Sequence, residues 1–245
     1  MVNSNTPNEV QTYLSSYKYK LELHVHTSPV SPCGQLSPTE VVERLHAKNY
    51  DCAVITNHFC RSGKFMQTED PVATYLADYY EAREVGERLG VTVLLGAEYR
   101  FDENPGEYLV FGADEALLRE TVNRFDMTYE QFYEEYHSED LLIIQAHPFR
   151  DGNILASADH LDGIEAFNIH PHHNSRVALA ARTADENGIS LITVGNDLHN
   201  PGYEGLCATR TRVLPKTSAE LITILKEKDF LMEIAGCPLL PYARF

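Results

Sequence analysis

The chain has 245 residues, long enough for one large α/β domain with a sizeable core. Its 20 Lys and Arg against 36 Asp and Glu leave a net charge of −16 with no basic cluster, which argues against duplex nucleic acid or an anionic membrane as the main partner. A small anionic substrate stays open, because bound divalent cations reverse the sign of the field locally. The five cysteines (Cys33, Cys52, Cys60, Cys207, Cys237) include no CxxC pair, so no disulfide framework is expected and a reducing cytoplasm fits. The first eighteen residues are polar, and no run of eighteen apolar residues occurs anywhere, so the expectation is a soluble cytoplasmic protein.

Residues 1–18 read as a polar lead-in, and residues 19–245 as one domain. Tyr19–His26 is the first predicted strand. Side chains alternate along a strand, so His24 and His26 share one face while Val25 points to the other. Ser37-Pro38-Thr39-Glu40 opens a helix with a capping residue and a first-turn proline. Cys52–Asn57 is a nearly all-apolar strand, the pattern of one buried on both faces, and it delivers His58. Pro71–Leu89 is a long helix stopped by Gly90. Val91–Ala97 is a strand delivering Glu98, and a turn through Asn104-Pro105-Gly106 leads to a short strand over Glu107–Gly112.

Asp114–His137 is helical and aromatic-rich, with a break near Asp126. Leu141–Ala146 is a buried strand delivering His147, and Gly163–Ile169 a strand ending at His170. Arg176–Asn187 is helical and closed by Gly188, and Leu191–Gly195 is a strand ending in Asn196-Asp197-Leu198-His199. Cys207–Leu214 and Phe230–Ile234 are strand-like and flank a helix over Ser218–Lys228. Strands separated by helices predict a parallel sheet, and about seven such units predict its closure into a TIM-like barrel with the active site at the carboxyl ends of the strands.

That rim is where the metal-competent side chains fall. His24, His26, His58, Glu98, His147, Asp197 and His199 each follow a predicted strand, and imidazole and carboxylate ligands in that number imply at least two divalent ions. Glu98 is the natural bridge, since a carboxylate can give one oxygen to each of two cations. Zinc, manganese and iron all accept mixed nitrogen and oxygen donors.

HVHT at 24–27, TNH at 56–58, GAE at 96–98, AHP at 146–148 and GNDLH at 195–199 resemble the ordered motifs of the PHP (polymerase and histidinol phosphatase) family. The resemblance spans residues 19–199. It implies a distorted seven-stranded β/α barrel holding up to three metal ions, and hydrolysis of phosphate esters. By the same resemblance His24, His26, Glu98 and Asp197 form a first site, Glu98 and His147 a second, and His58 and His199 a third.

Three departures stand out. TNH replaces the family's usual TDH, placing the Asn57 carboxamide where a carboxylate is common. Ser31-Pro32-Cys33-Gly34 replaces SDG, so Cys33 is either a thiolate ligand favouring zinc or a buried thiol in a turn. Glu107 stands where the family commonly has a histidine, and a carboxylate can substitute as ligand. Arg150 and His170 are the candidate substrate-binding and catalytic residues, as a phosphate clamp and a leaving-group acid, with a surface salt bridge the alternative for Arg150. His172 and His173 read as loop residues and Cys60 as structural; Arg210 and Arg212 could face the pocket or away from it.

The leading expectation is hydrolysis of a phosphomonoester or small phosphodiester by a hydroxide bridging two or three divalent ions. Amidohydrolase-type C–N or C–O hydrolysis and a non-catalytic metal-binding regulatory module are the alternatives.

Overall fold

A computed structural model describes residues 7–239. Its strands are β1 (Tyr19–Val25), β2 (Cys52–Ile55), β3 (His58–Phe59), β4 (Thr92–Arg100), β5 (Glu107–Phe111), β6 (Leu142–Ala146), β7 (Gly163–Asn168), β8 (Ile192–Gly195), β9 (Cys207–Thr211), β10 (Phe230–Ile234) and β11 (Cys237–Leu239). Its α-helices are α1 (Pro7–Ser16), α2 (Pro38–Ala47), α3 (Pro71–Leu89), α4 (Glu115–Thr121), α5 (Tyr129–Tyr136), α6 (Val177–Glu186) and α7 (Ser218–Glu227). The starts are chemically marked. Ser37 caps α2 in a reciprocal box with Glu40, Asp70 caps α3 ahead of Pro71, and Thr128 and Gln131 form a second box at α5.

All eleven strands belong to one curled sheet, in which ten follow the order β11-β10-β9-β1-β2-β4-β5-β6-β7-β8 and β3 pairs with β4. The curl brings its two sides together at the rim. Val25 and Leu198 form a parallel bridge, with the His26 N–H donating to Leu198 O and the Leu198 N–H to His24 O, each at 3.0 Å. The chain is a mixed α/β fold.

The sheet departs from the expected seven parallel strands. β9, β10 and β11 extend it beyond β1 in antiparallel fashion, and β5 runs antiparallel to both β4 and β6. The second reversal follows from the connection. Residues 101–106 are too few for the crossover a parallel pair needs, so the chain turns back on itself. Glu107 therefore enters at the start of its strand yet lies level with the ends of its neighbours, in register with Arg100 and Ala146.

A shift in register between β1 and β2 has a second consequence. Glu22 pairs with Ala53 but Val25 pairs with Ile55, so β1 spends one residue more than its neighbour. Leu21 and Leu23 pack with Cys52, Val54 and Leu109, while Val25 packs against α2 residues Val41 and Leu45. The irregularity lets an apolar floor and both imidazoles face the same interior. An equivalent shift in β7, between Ile164 and Phe167, directs both Glu165 and Asn168 to the rim.

The lead-in carries more structure than its polarity implied. The α1 helix is followed by a buried Tyr17, whose hydroxyl donates to Asp229 (2.7 Å) and accepts from Arg212 (2.9 Å). Arg210 donates to the Tyr17 carbonyl, so both arginines face this flank rather than the rim. The aromatic stretch splits into α4 and α5 as expected. Tyr129 and Phe132 of α5 are buried, and the Tyr129 ring stacks on Tyr108 at 3.6 Å, so this helix packs into the core. All five cysteines are unpaired.

Candidate metal centre

The rim gathers the expected side chains into four overlapping groups: His24, His26 and Asp197; His24, Glu98 and His147; His58, Glu98 and Glu107; and His26, His58 and His199. Within each group the potential ligand atoms lie within 4.8 Å of one another. His24 Nε2 and His26 Nε2 stand 3.0 Å apart and each 3.3 Å from Asp197 Oδ1. Glu98 has one oxygen on each side of the centre. Oε1 faces His24 and His147, both at 3.2 Å, and Oε2 faces His58 at 2.7 Å and His26 at 3.4 Å. Glu107 repeats the pattern, with Oε1 3.4 Å from His58 and Oε2 3.5 Å from His147. Two of these residues, His147 (φ 31°) and Asp197 (φ 51°), have left-handed backbone that non-glycine residues avoid, the kind of local strain that concentrates at functional sites.

The donor set suits divalent cations. The His24 Nδ1–H donates to Glu165 Oε1 (2.8 Å) and the His199 Nδ1–H to the Asp197 carbonyl (2.8 Å). In both rings the proton is held at Nδ1, which leaves the Nε2 lone pair facing the centre, the arrangement common to metal-bound histidines. His58 Nδ1 and Glu98 Oε2 are close but off the hydrogen-bonding direction, and both are buried without a hydrogen-bond partner. Two such atoms aimed at one point are what a shared cation would satisfy.

Electrostatics carries the same signature. Burial raises the pKa of Glu98 and Asp197, but the surrounding imidazoles outweigh it, led by His58 and His24 for Glu98 and by His24 for Asp197, and hold both carboxyls well below the ordinary range. Burial and the bonds to Asp197 and Cys33 compete at His199, where the bonds prevail and raise its pKa to about 10. Burial and the Glu98 charge push Glu107 up. Cys33 sits at the open edge in hydrogen-bonding contact with His199 and His58. Burial acts to raise its pKa, but those two contacts outweigh it and lower the thiol to about 6.

The remaining candidates surround the centre. Arg150 does not extend into open space: its Nη2 donates to Asp197 Oδ2 (2.5 Å) and Asn168 Oδ1 (3.0 Å), holding the carboxylate oxygen turned away from the histidines. His170 is buried beside His199, with ring centres 5.5 Å apart, and burial lowers its pKa to about 4. Its ring is therefore neutral near pH 7. With Nδ1 accepting from the His172 N–H at 3.3 Å, Nε2–H is the donor it can offer. Asn57 lies behind the centre, where its carboxamide accepts from the Thr27 N–H and donates to the Thr27 hydroxyl, both at 2.7 Å.

Sequence reasoning missed Glu165 and Asn168. Glu165 takes the His24 proton with one oxygen and, with the other, the Asn168 amide (2.9 Å) and the His147 N–H (3.3 Å). GIEAFNI reads as an ordinary buried strand. The one available signal was a charged residue within an otherwise apolar run. It also missed Arg61 and Arg100, which line a cavity of about 600 Å3 on the Glu107 side of the rim.

Among the described residues, no helix is long and apolar enough to cross a membrane. A search among curated proteins finds no match. Among the solved structures that share the fold, two cover most of this chain. One is a two-domain protein from Bacteroides vulgatus containing a predicted PHP-like metal-dependent phosphoesterase (16% identity, TM-score 0.62, covering 88% of this chain and 64% of that one). The other is PsfC from Pseudomonas syringae (16% identity, TM-score 0.57, covering 84% and 88%). This chain thus spans less than two thirds of the Bacteroides protein. The PHP domain model matches residues 22–235, which include every residue of the four groups above, and the chain belongs to the PHP domain family.

Proposed function

We propose that this protein hydrolyses a phosphomonoester or a small phosphodiester at a centre of two or three divalent cations. The observation that carries the reading is Glu98, fully buried, with one oxygen turned to His24 and His147 and the other to His26 and His58. His24, His26 and Asp197 would hold one ion, His147 with Glu98 and Glu107 a second, and His58 and His199, with Cys33 at the open edge, a third. Divalent cations in such a set make water nucleophilic near neutral pH and neutralise phosphoryl charge.

The protein's own groups do the positioning. Glu165 fixes the His24 tautomer, and Arg150 and Asn168 hold the outer oxygen of Asp197 so that the inner one faces the histidines. His170, neutral and beside His199, offers its Nε2–H as a hydrogen-bond donor to a phosphoryl or leaving-group oxygen. Main-chain closure through Leu198 keeps the His24–His26 segment and Asp197 in one rigid frame. The domain is proposed to run from residue 19 onward.

The test is turnover. Protein purified without chelator and reloaded with zinc, manganese or iron is assayed against phosphate mono- and diesters and against amides and lactones. Phosphate ester hydrolysis, abolished by chelation and restored by metal, is the expected result. Hydrolysis confined to amides or lactones, or none with any metal, would refute the proposal.

A further inference from the structure

The cavity beside Glu107 is lined by Cys60, Arg61, Ser62 and Arg100 and by residues 101–105 of the β4–β5 turn. It is linked to the centre through Glu107. His58 Nδ1 lies 3.4 Å from Glu107 Oε1, and the same oxygen lies 3.6 Å from Arg100 Nη1. One carboxylate therefore separates a candidate metal ligand from a guanidinium that faces the cavity. Arg100 Nη2 is steadied by Ser62 Oγ (2.8 Å) and approaches Cys60 Sγ (3.6 Å), which fixes the plane of the group. Arg61 lines the same cavity, its Nε bonded to Asp102 Oδ2 (2.7 Å) while its terminal nitrogen reaches Asp126 only at 3.8 Å.

We infer that this cavity is a subsite for a second anionic group of the substrate, a carboxylate or a further phosphate, gripped by Arg100 and Arg61. The inference rests on the phosphoesterase reading and deepens it by naming the substrate class: phosphate esters bearing a second anion on the leaving group.

Three features favour an anion here. First, Arg150 is committed to Asp197, so it does not serve a distal substrate group. Second, Asp102 is bonded by the Arg61 Nε rather than by its terminal nitrogens, and the Glu103 carboxylate accepts the Tyr129 N–H (2.6 Å). Third, Arg100 is balanced chiefly by Glu107. With Glu107 committed to a cation, the Arg100 charge is left for a ligand, and a guanidinium edge matches a planar carboxylate or a phosphate face. On a chain of net charge −16, this lining sets two arginines, Arg61 and Arg100, against two acids, Asp102 and Glu103, so it is locally close to neutral.

The experiment separates this inference from the reading beneath it. Metal-loaded protein is titrated by calorimetry with phenylphosphonate and with 4-carboxyphenylphosphonate, probes that are not hydrolysed and differ by one carboxylate. The wild type should bind the second at least about tenfold more tightly, and Arg100→Met and Arg61→Met should each reduce that ratio severalfold. Equal affinities in the wild type, or a ratio unchanged in both variants, would overturn the subsite. A parallel assay compares turnover of phenyl phosphate and 4-carboxyphenyl phosphate. If neither is hydrolysed while the binding ratio behaves as expected, the hydrolytic reading fails and the anion subsite stands. If Arg100→Met weakens both phosphonates equally and Arg61→Met changes nothing, Arg100 acts only on Glu107 and the inference fails.

Discussion

The two halves of the rim are built differently. On the β1–β8 side, His24 and His26 are fully buried and Asp197 is 1% exposed, and each is tied from behind by Glu165, Ser31, Arg150 or Asn168. On the β3–β5 side, the His58 and Glu107 side chains are 21% and 12% exposed, Cys33 is exposed, and the Arg100–Arg61 cavity opens beside them. The first half keeps the family's motif residues, whereas the second carries the departures SPCG and Glu107. On the proposed reading, the locked half would hold cations and the more open half would admit what approaches them.

The largest expected effect breaks the locked half. Asp197→Ala removes the carboxylate facing both histidines and leaves the Arg150 guanidinium without its partner. Losing one member of a buried pair costs about 3–5 kcal/mol, so denaturant unfolding should show a loss of that order, with the first ion gone by elemental analysis. Wild-type metal content in this variant would contradict the assignment. Next is Glu165→Gln, which keeps the shape but removes the charge of the group that holds His24 and that also accepts from Asn168 and the His147 N–H. Changes to such outer partners lower metal affinity about 10–100-fold, which competition with a chromogenic chelator would reveal, and unchanged affinity would show that the tautomer is fixed otherwise.

A smaller effect is expected in the open half. Glu107→Gln should reduce bound metal by about one ion while leaving the ion at His24, His26 and Asp197 in place. Loss of all metal would show that the two halves do not load independently.

The mildest prediction concerns pH. In the metal-free protein the pKa values of His24, His58 and His199 are raised, because their attraction to neighbouring carboxylates outweighs burial. A raised histidine pKa contributes stability fully present below the free imidazole value of about 6.5 and lost as pH rises through the folded value, about 10 for His199. The melting temperature of the metal-free protein should therefore fall over that window. Metal affinity should rise over the same window, since cations require neutral imidazole. A flat profile without metal would mean that the histidines are already neutral.

Most of the centre was legible in the sequence because its candidate ligands sit where apolar strands end, and a strand end at the rim of such a sheet is a position with a predictable address. Glu107 was legible as a residue but its placement depended on a reversed strand, visible only once the 101–106 connection is seen to be too short for a crossover. The irregularities in β1 and β7 left no mark, since an extra residue in a strand changes which face a side chain takes without changing composition. Glu165, Asn168 and the Arg61–Arg100 wall were hidden for the same reason: their roles arise from register between strands distant in sequence. The role expected of Arg150 changed for a local reason, since Asp197 and Asn168 lie within its reach and claim it.

The proposed centre shares its cations across Glu98. Anomalous diffraction at the metal edge, from crystals of protein purified without chelator, tests this most directly. Two peaks flanking the Glu98 carboxylate, about 3.5–4 Å apart as in two-metal hydrolytic sites, are the predicted result. A single peak away from Glu98, or a rim with no metal after reloading, would contradict it.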